Sequence, residues 1–274
     1  MSSATAASPV TATGACTSCA QGAEPHLTRL GVSVRRADAV VALAGNPNTG
    51  KSTVFNVLTG LRQRVGNWPG TTVARSEGGF GYGDRRYRLV DLPGAYSLFA
   101  QGRDEAITRD FLLFGAPDVA VVVLDASRLE RHLNLALQVL EICDRVVVAL
   151  NLMDEADRAG IGIDVRHLTR QLGAPVVPMT ARQRTGVPEL LAAIDRTVGE
   201  PAGVRRRSVR LPPAVEQAVA EIAADLLAEH PGLPNARWVA LKLIEGDPSV
   251  TRAVAEGTIG SLVVEQQPEL VGTT

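Results

Sequence analysis

The sequence predicts an α/β fold: a mostly parallel six-stranded sheet flanked by helices, followed by a small all-α domain. Short apolar runs alternate with amphipathic segments from about residue 38 to residue 200, as in a parallel sheet covered by helices. The most apolar runs, Val119–Leu124 and Val146–Leu150, have the length of buried strands and are far too short to cross a membrane. Beyond residue 211, Ala- and Leu-rich helical segments replace the strand pattern.

The predicted strands are, in chain order, Ala39–Ala44, Arg75–Tyr82, Arg86–Asp91, Val119–Leu124, Arg145–Leu150 and Val176–Pro178. The helices between them are predicted at Lys51–Gly60, Arg103–Phe114, Glu130–Cys143, Val165–Gly173 and Val187–Val198. A turn at Gly81–Asp84 makes the second and third strands antiparallel. Three further helices are predicted at Pro213–Glu229, Ala236–Glu245 and Pro248–Glu256.

These elements divide the chain into a flexible extension (1–37), a first domain (38–200), a linker (201–210), a helical domain (211–268) and a tail (269–274). The chain has 274 residues, enough for one large core and a small satellite domain. A net charge of −1 gives no indication of a nucleic-acid partner. Three cysteines make no disulfide framework and predict a reducing compartment.

A glycine-rich loop follows the first predicted strand and opens the first helix. Its sequence, Gly45-Asn46-Pro47-Asn48-Thr49-Gly50-Lys51-Ser52, fits the phosphate-binding pattern GxxxxGK[ST] in the strand–loop–helix context that this pattern requires. The backbone N–H groups and the helix N-terminus are expected to surround the phosphates, and we include Thr53 in the binding loop. Lys51 is expected to contact the β- and γ-phosphates, and Ser52 to ligate Mg²⁺. The alternative is a glycine-rich turn without a ligand.

Three later motifs favour GTP over ATP. Asp91-Leu92-Pro93-Gly94 has the DxxG pattern, in which the Asp holds Mg²⁺ through water and the Gly N–H senses the γ-phosphate. Asn151-Leu152-Met153-Asp154 resembles the guanine-reading NxxD, with Leu152 in place of the usual Lys. Such an Asp accepts hydrogen bonds from the N1 and N2 donors of guanine. Adenine lacks this pair of donors, so the Asp carboxylate would stay unpaired. Thr180-Ala181-Arg182 follows the sixth strand, where a loop backbone meets the guanine oxygen. Four motifs at the carboxyl ends of strands predict a Ras-like, TRAFAC-class P-loop domain that binds GTP and GDP.

Three segments carry a more specific resemblance. Gly66–Val73 (GNWPGTTV), Asp91–Leu98 (DLPGAYSL) and Leu124–Arg131 resemble the G domain of the bacterial ferrous iron transport protein B (FeoB) family. The resemblance is close over about residues 38–198 and loose over the helices at 205–260. It implies a GTPase at the cytoplasmic face of the bacterial inner membrane that regulates or drives ferrous iron uptake. The implied partners are GTP, a membrane domain absent from this chain and small cytosolic proteins of the same system, without nucleic acid; self-association is left open.

The resemblance also implies roles for individual residues. Thr72 is the switch I threonine that ligates Mg²⁺, and Thr71 is its neighbour in the binding loop. Asn48 corresponds to an asparagine that potassium-activated GTPases use as a K⁺ ligand, although asparagine is also common in turns generally. Ala95 stands where Ras-type proteins carry a water-positioning glutamine, which predicts slow, potassium-activated hydrolysis. Lys51, Thr72 and Gly94 are the residues expected to act on the reacting phosphate.

Two other functions fit parts of the pattern. A soluble GTPase of tRNA modification or ribosome assembly would carry a basic RNA-binding module after the first domain, whereas this tail is nearly neutral outside one Arg cluster. A GTP-gated regulatory module with negligible turnover would also fit Ala95. Cys16-x-x-Cys19, with His26 nearby, could bind a metal or act as a redox pair. Three candidate ligands are one short of the usual four for a metal site, which favours a flexible extension. We expect Trp68 to be an exposed aromatic of switch I and Trp238 a core residue.

Overall fold

The computed structural model describes residues 37–60, 63–68, 71–98, 102–200, 211–231, 233, 235–257 and 259. The strands are β1 (Ala39–Gly45), β2 (Gln63–Asn67), β3 (Ala74–Tyr82), β4 (Arg85–Asp91), β5 (Val119–Asp125), β6 (Val146–Asn151) and β7 (Val176–Pro178). The helices around the sheet are α1 (Lys51–Thr59), α2 (Arg103–Phe114), α3 (Leu129–Ile142), α4 (Met153–Arg158), α5 (Val165–Leu172) and α6 (Val187–Gly199). The helices α7 (Pro213–Glu229), α8 (Ala236–Ile244) and α9 (Pro248–Ala255) follow.

The strands form one sheet in the order β2-β3-β4-β1-β5-β6-β7. The pairs β1–β4, β1–β5, β5–β6 and β6–β7 are parallel, whereas β2–β3 and β3–β4 are antiparallel. Every residue of β1, β5 and β6 is buried because helices cover both faces of the sheet. The order places the carboxyl ends of β1, β4, β5 and β6 along one edge, where ligands bind in open α/β sheets.

The prediction of six strands was wrong, because the sheet has seven. The missed strand β2 is an edge strand that pairs only with β3. Its only large apolar residue, Val65, has 68% of its surface exposed, and the described side chains of Arg64–Asn67 are all exposed, so these residues show no alternating pattern. The six-residue helix α4 was also missed, since it begins inside the guanine-reading motif. The other predicted strands and helices lie within one residue of their observed bounds.

Two apolar clusters fill the two faces of the sheet. One contains α1 and α6 residues, and the other contains residues of α2, α3 and the helical tail. Trp238 belongs to the second cluster, as predicted, with 6% of its surface exposed. The expectation for Trp68 was wrong: its indole is 1% exposed and meets the Phe111 ring edge-on at 5.5 Å. A tryptophan side chain carries a large apolar surface, so burying the Trp68 ring against α2 is more favourable than leaving it in water.

The helical tail contacts the first domain through α2. Arg109 donates from Nη1 to Ser249 Oγ at 2.8 Å, and Asn235 Nδ2 donates to the Leu113 carbonyl at 2.9 Å. Arg109 also pairs with its neighbour Asp110, and burial raises the pKa of Asp110 to about 6 although the Arg109 charge opposes that shift. The helices α7–α9 are therefore joined to the sheet domain by polar contacts as well as by apolar packing.

Within the described ranges, no helix combines the length and the apolar character that a membrane span needs. Cys16, Cys19 and His26 lie outside the described residues, as do most of the predicted extension (1–37), all of the linker (201–210) and all of the C-terminal segment 269–274. The predicted domain boundaries stay predictions.

Candidate functional site

The P-loop begins at the last residue of β1 and ends in the first turn of α1. Asn48 and Gly50 both have left-handed backbones, with φ of 67° and 79°. A Cβ on Gly50 would lie 2.4 Å from Asn151 Nδ2, and a Cβ on Gly45 would lie 2.7 Å from the Val123 carbonyl oxygen. Only glycine fits at these two positions, so the neighbouring motifs determine the course of the loop. The left-handed backbone at Asn48 agrees with a turn role and does not conflict with a ligand role.

The predicted phosphate-binding lysine and the predicted magnesium carboxylate meet in this structure. The Lys51 ammonium forms an ion pair with Asp91, and their side chains are only 12% and 17% exposed. Burial raises the pKa of Asp91, while the Lys51 charge and its hydrogen bond lower it. Ser52 lies one residue further on, with its side chain exposed in the first turn of α1. Hydroxyl and carboxylate oxygens are the ligands that Mg²⁺ prefers, so this donor set fits the ion.

The DxxG loop is held against the P-loop. The Ala95 N–H donates to the Gly45 carbonyl at 3.2 Å, and a Cβ on Gly94 would lie 3.2 Å from Pro47 Cγ. Gly94 therefore lies beside the phosphate-binding loop, where the DxxG motif requires it. Ala95 is 1% exposed and lies in the core, so its side chain offers no group to water.

Asn151 joins three of the predicted motifs. Its Nδ2 donates to the Thr49 carbonyl of the P-loop at 2.9 Å. Its Oδ1 accepts from the Ala181 N–H at 2.9 Å, and the residue is 1% exposed. Both ends of this buried amide are thus used to fix the P-loop, β6 and the Thr180–Arg182 loop relative to one another.

One oxygen of the Asp154 carboxylate accepts a hydrogen bond, and the other has no partner among the described residues. Its Oδ2 accepts from Arg158 Nη2 at 2.7 Å, whereas its buried Oδ1 has no hydrogen-bond partner among the described residues. Leu152 precedes it with a left-handed backbone, φ 62°, and the Met153 N–H donates to the Met179 carbonyl at 3.3 Å. A buried acceptor without a partner is what the N1 and N2 donors of guanine require.

In the predicted switch I segment, residues 64–73, hydrogen bonds join Thr71 to Trp68 and Val73 to Thr71. The Thr71 N–H and hydroxyl both donate to the Trp68 carbonyl at 3.0 Å, and the Val73 N–H donates to Thr71 Oγ1 at 3.2 Å. The Thr71 hydroxyl is therefore engaged, whereas the Thr72 side chain is exposed. This difference agrees with Thr72 as the metal-binding member of the pair. The metal roles of Ser52, Thr72, Asp91 and Asn48 stay predictions.

Two polar residues of the site region were missed in the sequence. Thr108 on α2 donates from Oγ1 to the Pro93 carbonyl at 2.9 Å, inside the DxxG motif. Gln138 on α3 accepts at Oε1 from the Leu98 N–H at 2.6 Å and from Ser97 Oγ at 3.2 Å. Neither residue belongs to a short motif, so nothing in the local sequence marks it.

Comparison with known proteins identifies both domains. Residues 39–194 match the family model described as Ferrous iron transport protein B, and residues 212–271 match that of the FeoB cytosolic helical domain. The Fe(2+) transporter FeoB of Salmonella typhimurium is 44% identical over 211 residues, which are 76% of this chain and 27% of that protein. The chain thus spans about a quarter of the length of the curated relatives it matches.

Solved structures agree with this assignment. The cytosolic domain of L. pneumophila FeoB shares 36% identity, with a TM-score of 0.70, covering 82% of this chain and 87% of that one. The cytosolic domain of the T. maritima FeoB iron transporter, in a GMPPNP form, shares 36% identity with a TM-score of 0.69, covering 84% and 88%. These likenesses confirm the P-loop α/β fold followed by a helical domain.

Proposed function

Because the chain belongs to the ferrous iron transport protein B family, we propose that it binds GTP with Mg²⁺ and hydrolyses it to GDP and phosphate. We propose further that this cycle controls the movement of Fe²⁺ through a membrane domain. The observation that carries the nucleotide proposal is the buried Asp154 Oδ1, an acceptor without a partner in the described structure, beside an Asn151 that fixes the P-loop. The GMPPNP form of the T. maritima relative supports the same nucleotide class.

Each residue of the site has a separate proposed role in hydrolysis. The Lys51 ammonium leaves Asp91 to neutralise the β- and γ-phosphates, and the Gly94 N–H faces the γ-phosphate from the DxxG loop. Ser52, Thr72 and, through water, Asp91 would hold Mg²⁺, which supplies charge neutralisation when bound. Since the Ala95 side chain is buried in the core, backbone groups of switch I have to orient the attacking water. This arrangement predicts slow turnover.

Potassium ion is proposed as the second cation of the site, with the Asn48 amide oxygen as its ligand. A cation beside the phosphates neutralises charge that develops in the transition state, as an arginine finger does in other GTPases. We expect GTP hydrolysis at equal ionic strength to be about tenfold faster in KCl than in NaCl, a difference of about 1.4 kcal/mol in the barrier.

Asn48→Gly separates the two interpretations of this residue, because glycine keeps the left-handed turn and removes the amide. A ligand role predicts that the variant hydrolyses GTP equally fast in both salts. Retention of the full potassium effect in Asn48→Gly would leave Asn48 as a turn residue only. Negligible turnover of the wild-type chain in KCl would favour a GTP-gated regulatory module.

The route from nucleotide to membrane domain is proposed to run through α2. This helix contacts switch I through Phe111, the DxxG loop through Thr108, and the helical tail through Arg109. A shift of either nucleotide-sensing loop therefore reaches the tail through one packed helix, which is the kind of element that transmits such changes. The RNA-modification alternative loses its support, because the tail matches the FeoB helical domain.

We expect loss of the α2–tail bonds to uncouple iron uptake from hydrolysis. The double variant Ser249→Ala/Asn235→Gly removes both bonds, and glycine tolerates the left-handed backbone at position 235. The chain would replace the matching region of Escherichia coli (strain K12) FeoB, with uptake of radioactive Fe²⁺ as the measurement. The wild-type chimera is expected to take up iron, and the double variant to lose most uptake while keeping its GTPase rate. Equal uptake by the two chimeras would contradict this route.

The proposed location is the cytoplasmic face of the inner membrane, next to the membrane domain that the relatives carry. Small cytosolic proteins of the same transport system are proposed as partners. Self-association stays open.

A further inference from the structure

We propose that Gln138 is a positioning residue for GTP hydrolysis: from α3 it fixes the switch II segment, Asp91–Leu98, and with it the placement of Gly94 against the P-loop. The proposal rests on the proposed hydrolysis of GTP and adds a residue to it. Gln138 lies 40 residues from Leu98 along the chain and outside the sequence motifs of the site.

The contact consists of two hydrogen bonds to one acceptor. Gln138 Oε1 accepts from the Leu98 N–H at 2.6 Å and from Ser97 Oγ at 3.2 Å. Gln138 Nε2 lies 3.5 Å from Asn134 Oδ1, one turn earlier on the helix, which agrees with the oxygen facing the segment. Because the carboxyamide bonds the backbone at Leu98, the contact holds the main chain of the segment as well as a side chain.

The same helix makes a second contact with the segment. The Arg131 guanidinium lies over the Tyr96 ring, 4.9 Å from its centroid. Arg131 and Gln138 are seven residues apart, which places them on one face of α3. This face therefore supports the outer half of the switch II segment from Tyr96 to Leu98.

The inner half is held by the sheet and by α2. The Leu92 N–H donates to the Leu43 carbonyl at 3.0 Å, and the Ala95 N–H donates to the Gly45 carbonyl at 3.2 Å. Gly94 lies between the Leu92 and Ala95 bonds, and Gln138 holds the segment beyond them, at Ser97 and Leu98. The Leu92 and Ala95 bonds fix the short loop between them. In this loop Gly94 approaches Pro47 so closely that a Cβ added to Gly94 would lie 3.2 Å from Pro47 Cγ.

Chemistry explains why this positioning matters here. A GTPase with a glutamine in the DxxG loop can correct the position of the attacking water through a flexible side chain, whereas Ala95 is buried and cannot. The rate then depends on fixed backbone groups, which include the Gly94 N–H beside the γ-phosphate, and a displacement of about 1 Å is enough to slow a reaction substantially. Gln138 restrains this backbone from α3, a helix that carries none of the nucleotide-binding motifs.

The test compares two substitutions of similar size. Gln138→Met removes the acceptor oxygen and keeps the length of the side chain, whereas Gln138→Glu keeps an oxygen acceptor for both donors. The measurements on the intact chain are kcat and KM for GTP, the Kd for GDP, and hydrogen exchange at the Leu98 amide in the GTP-analogue complex. We expect kcat of Gln138→Met to fall about fivefold, which is about 1 kcal/mol, with the GDP Kd within twofold of wild type. Gln138→Glu is expected to restore most of kcat.

The outcomes separate the two proposals. A wild-type chain that does not hydrolyse GTP overturns the proposed function and with it this role. Wild-type turnover together with normal turnover in Gln138→Met overturns only the role of Gln138. A general folding defect would weaken GDP binding and would not be rescued by glutamate, and this pattern also overturns the role. Slower turnover with unchanged exchange at Leu98 would show that the effect does not pass through switch II, and counts against the proposal equally.

Discussion

Replacing Asp154 with asparagine is expected to weaken GTP binding about a thousandfold and to allow binding of XTP in its place. The carboxylate offers two acceptors, one of which, Oδ1, is buried and has no partner among the described residues. An asparagine keeps one acceptor oxygen but presents an N–H₂ group to the other guanine donor, so one of the two bonds is replaced by two donors facing each other. A site built to hydrogen-bond one group rejects an analogue without it by a factor of about 10⁴ to 10⁵. The expected loss is smaller here because one of the two bonds survives.

Xanthine explains the second half of the prediction. Its C2 carries a carbonyl oxygen where guanine carries an amino group, and the amide nitrogen of Asp154→Asn can donate to that oxygen. The measurement is the Kd of GTP, ATP and XTP for wild type and variant, by isothermal titration calorimetry, which needs no guanine probe. Asp157→Asn is the matched control, since it makes the same chemical change on an exposed residue of the same helix.

The outer half of the Asp154 carboxylate is expected to matter less. Arg158 pairs with Oδ2, but its side chain is 71% exposed, and exposed ion pairs contribute little. If Asp154→Asn left the GTP affinity within threefold of wild type, the assignment of the base site would be wrong.

The parts of this site that were predictable are those that short sequence and simple chemistry determine together. A phosphate loop needs glycines where the backbone is left-handed or crowded, and Gly45 and Gly50 meet neighbours at distances that exclude a Cβ. Strands such as β5 are buried on both faces, so they have to be continuously apolar. In both cases the physical requirement acts on consecutive residues, and the sequence displays it directly.

The unpredicted parts depend on contacts between distant residues. The strand β2 exists because β3 offers it an edge, and its own described side chains, those of Arg64–Asn67, are all exposed. Trp68 could be an exposed switch residue or a buried one, and only the position of Phe111 on α2 decides between them. Gln138 acts on Leu98 across 40 residues. Residues of this kind have ordinary local surroundings, so a pattern search passes over them.

Replacing Lys51 with alanine is expected to lower the rate of GTP hydrolysis about a thousandfold. The ammonium is the main charge of the P-loop available to the β- and γ-phosphates, and removal of one group that stabilises developing charge costs about 10² to 10³ in rate. Single-turnover hydrolysis with excess protein measures this loss. Lys242→Ala is a matched control, because Lys242 is a second buried lysine paired with a carboxylate, Glu245, in the helical tail. That variant is expected to lose stability and to keep its hydrolysis rate.

The same substitution has a second consequence, since Lys51 is the ion-pair partner of Asp91. Without it, burial raises the pKa of Asp91 further above the value in the unfolded chain. The folded state then holds a proton that the unfolded state releases, so stability falls as the pH rises through this window. We expect Lys51→Ala to lose about 1–3 kcal/mol more relative to wild type at pH 8 than at pH 4.5, as measured by urea unfolding.

Lys51→Ala/Asp91→Asn separates the two consequences of losing the lysine. The double variant has no carboxylate to ionise at position 91, so it should recover the stability lost at pH 8 and stay inactive. Recovery of hydrolysis in the double variant would contradict the proposed phosphate contact, because it would show that Lys51 serves only to neutralise Asp91. The ion pair in this structure and the phosphate contact proposed for the GTP complex use the same ammonium group. GTP binding would therefore draw this ammonium toward the phosphates, and the Asp91 carboxylate would then be free to hold the water ligands of Mg²⁺.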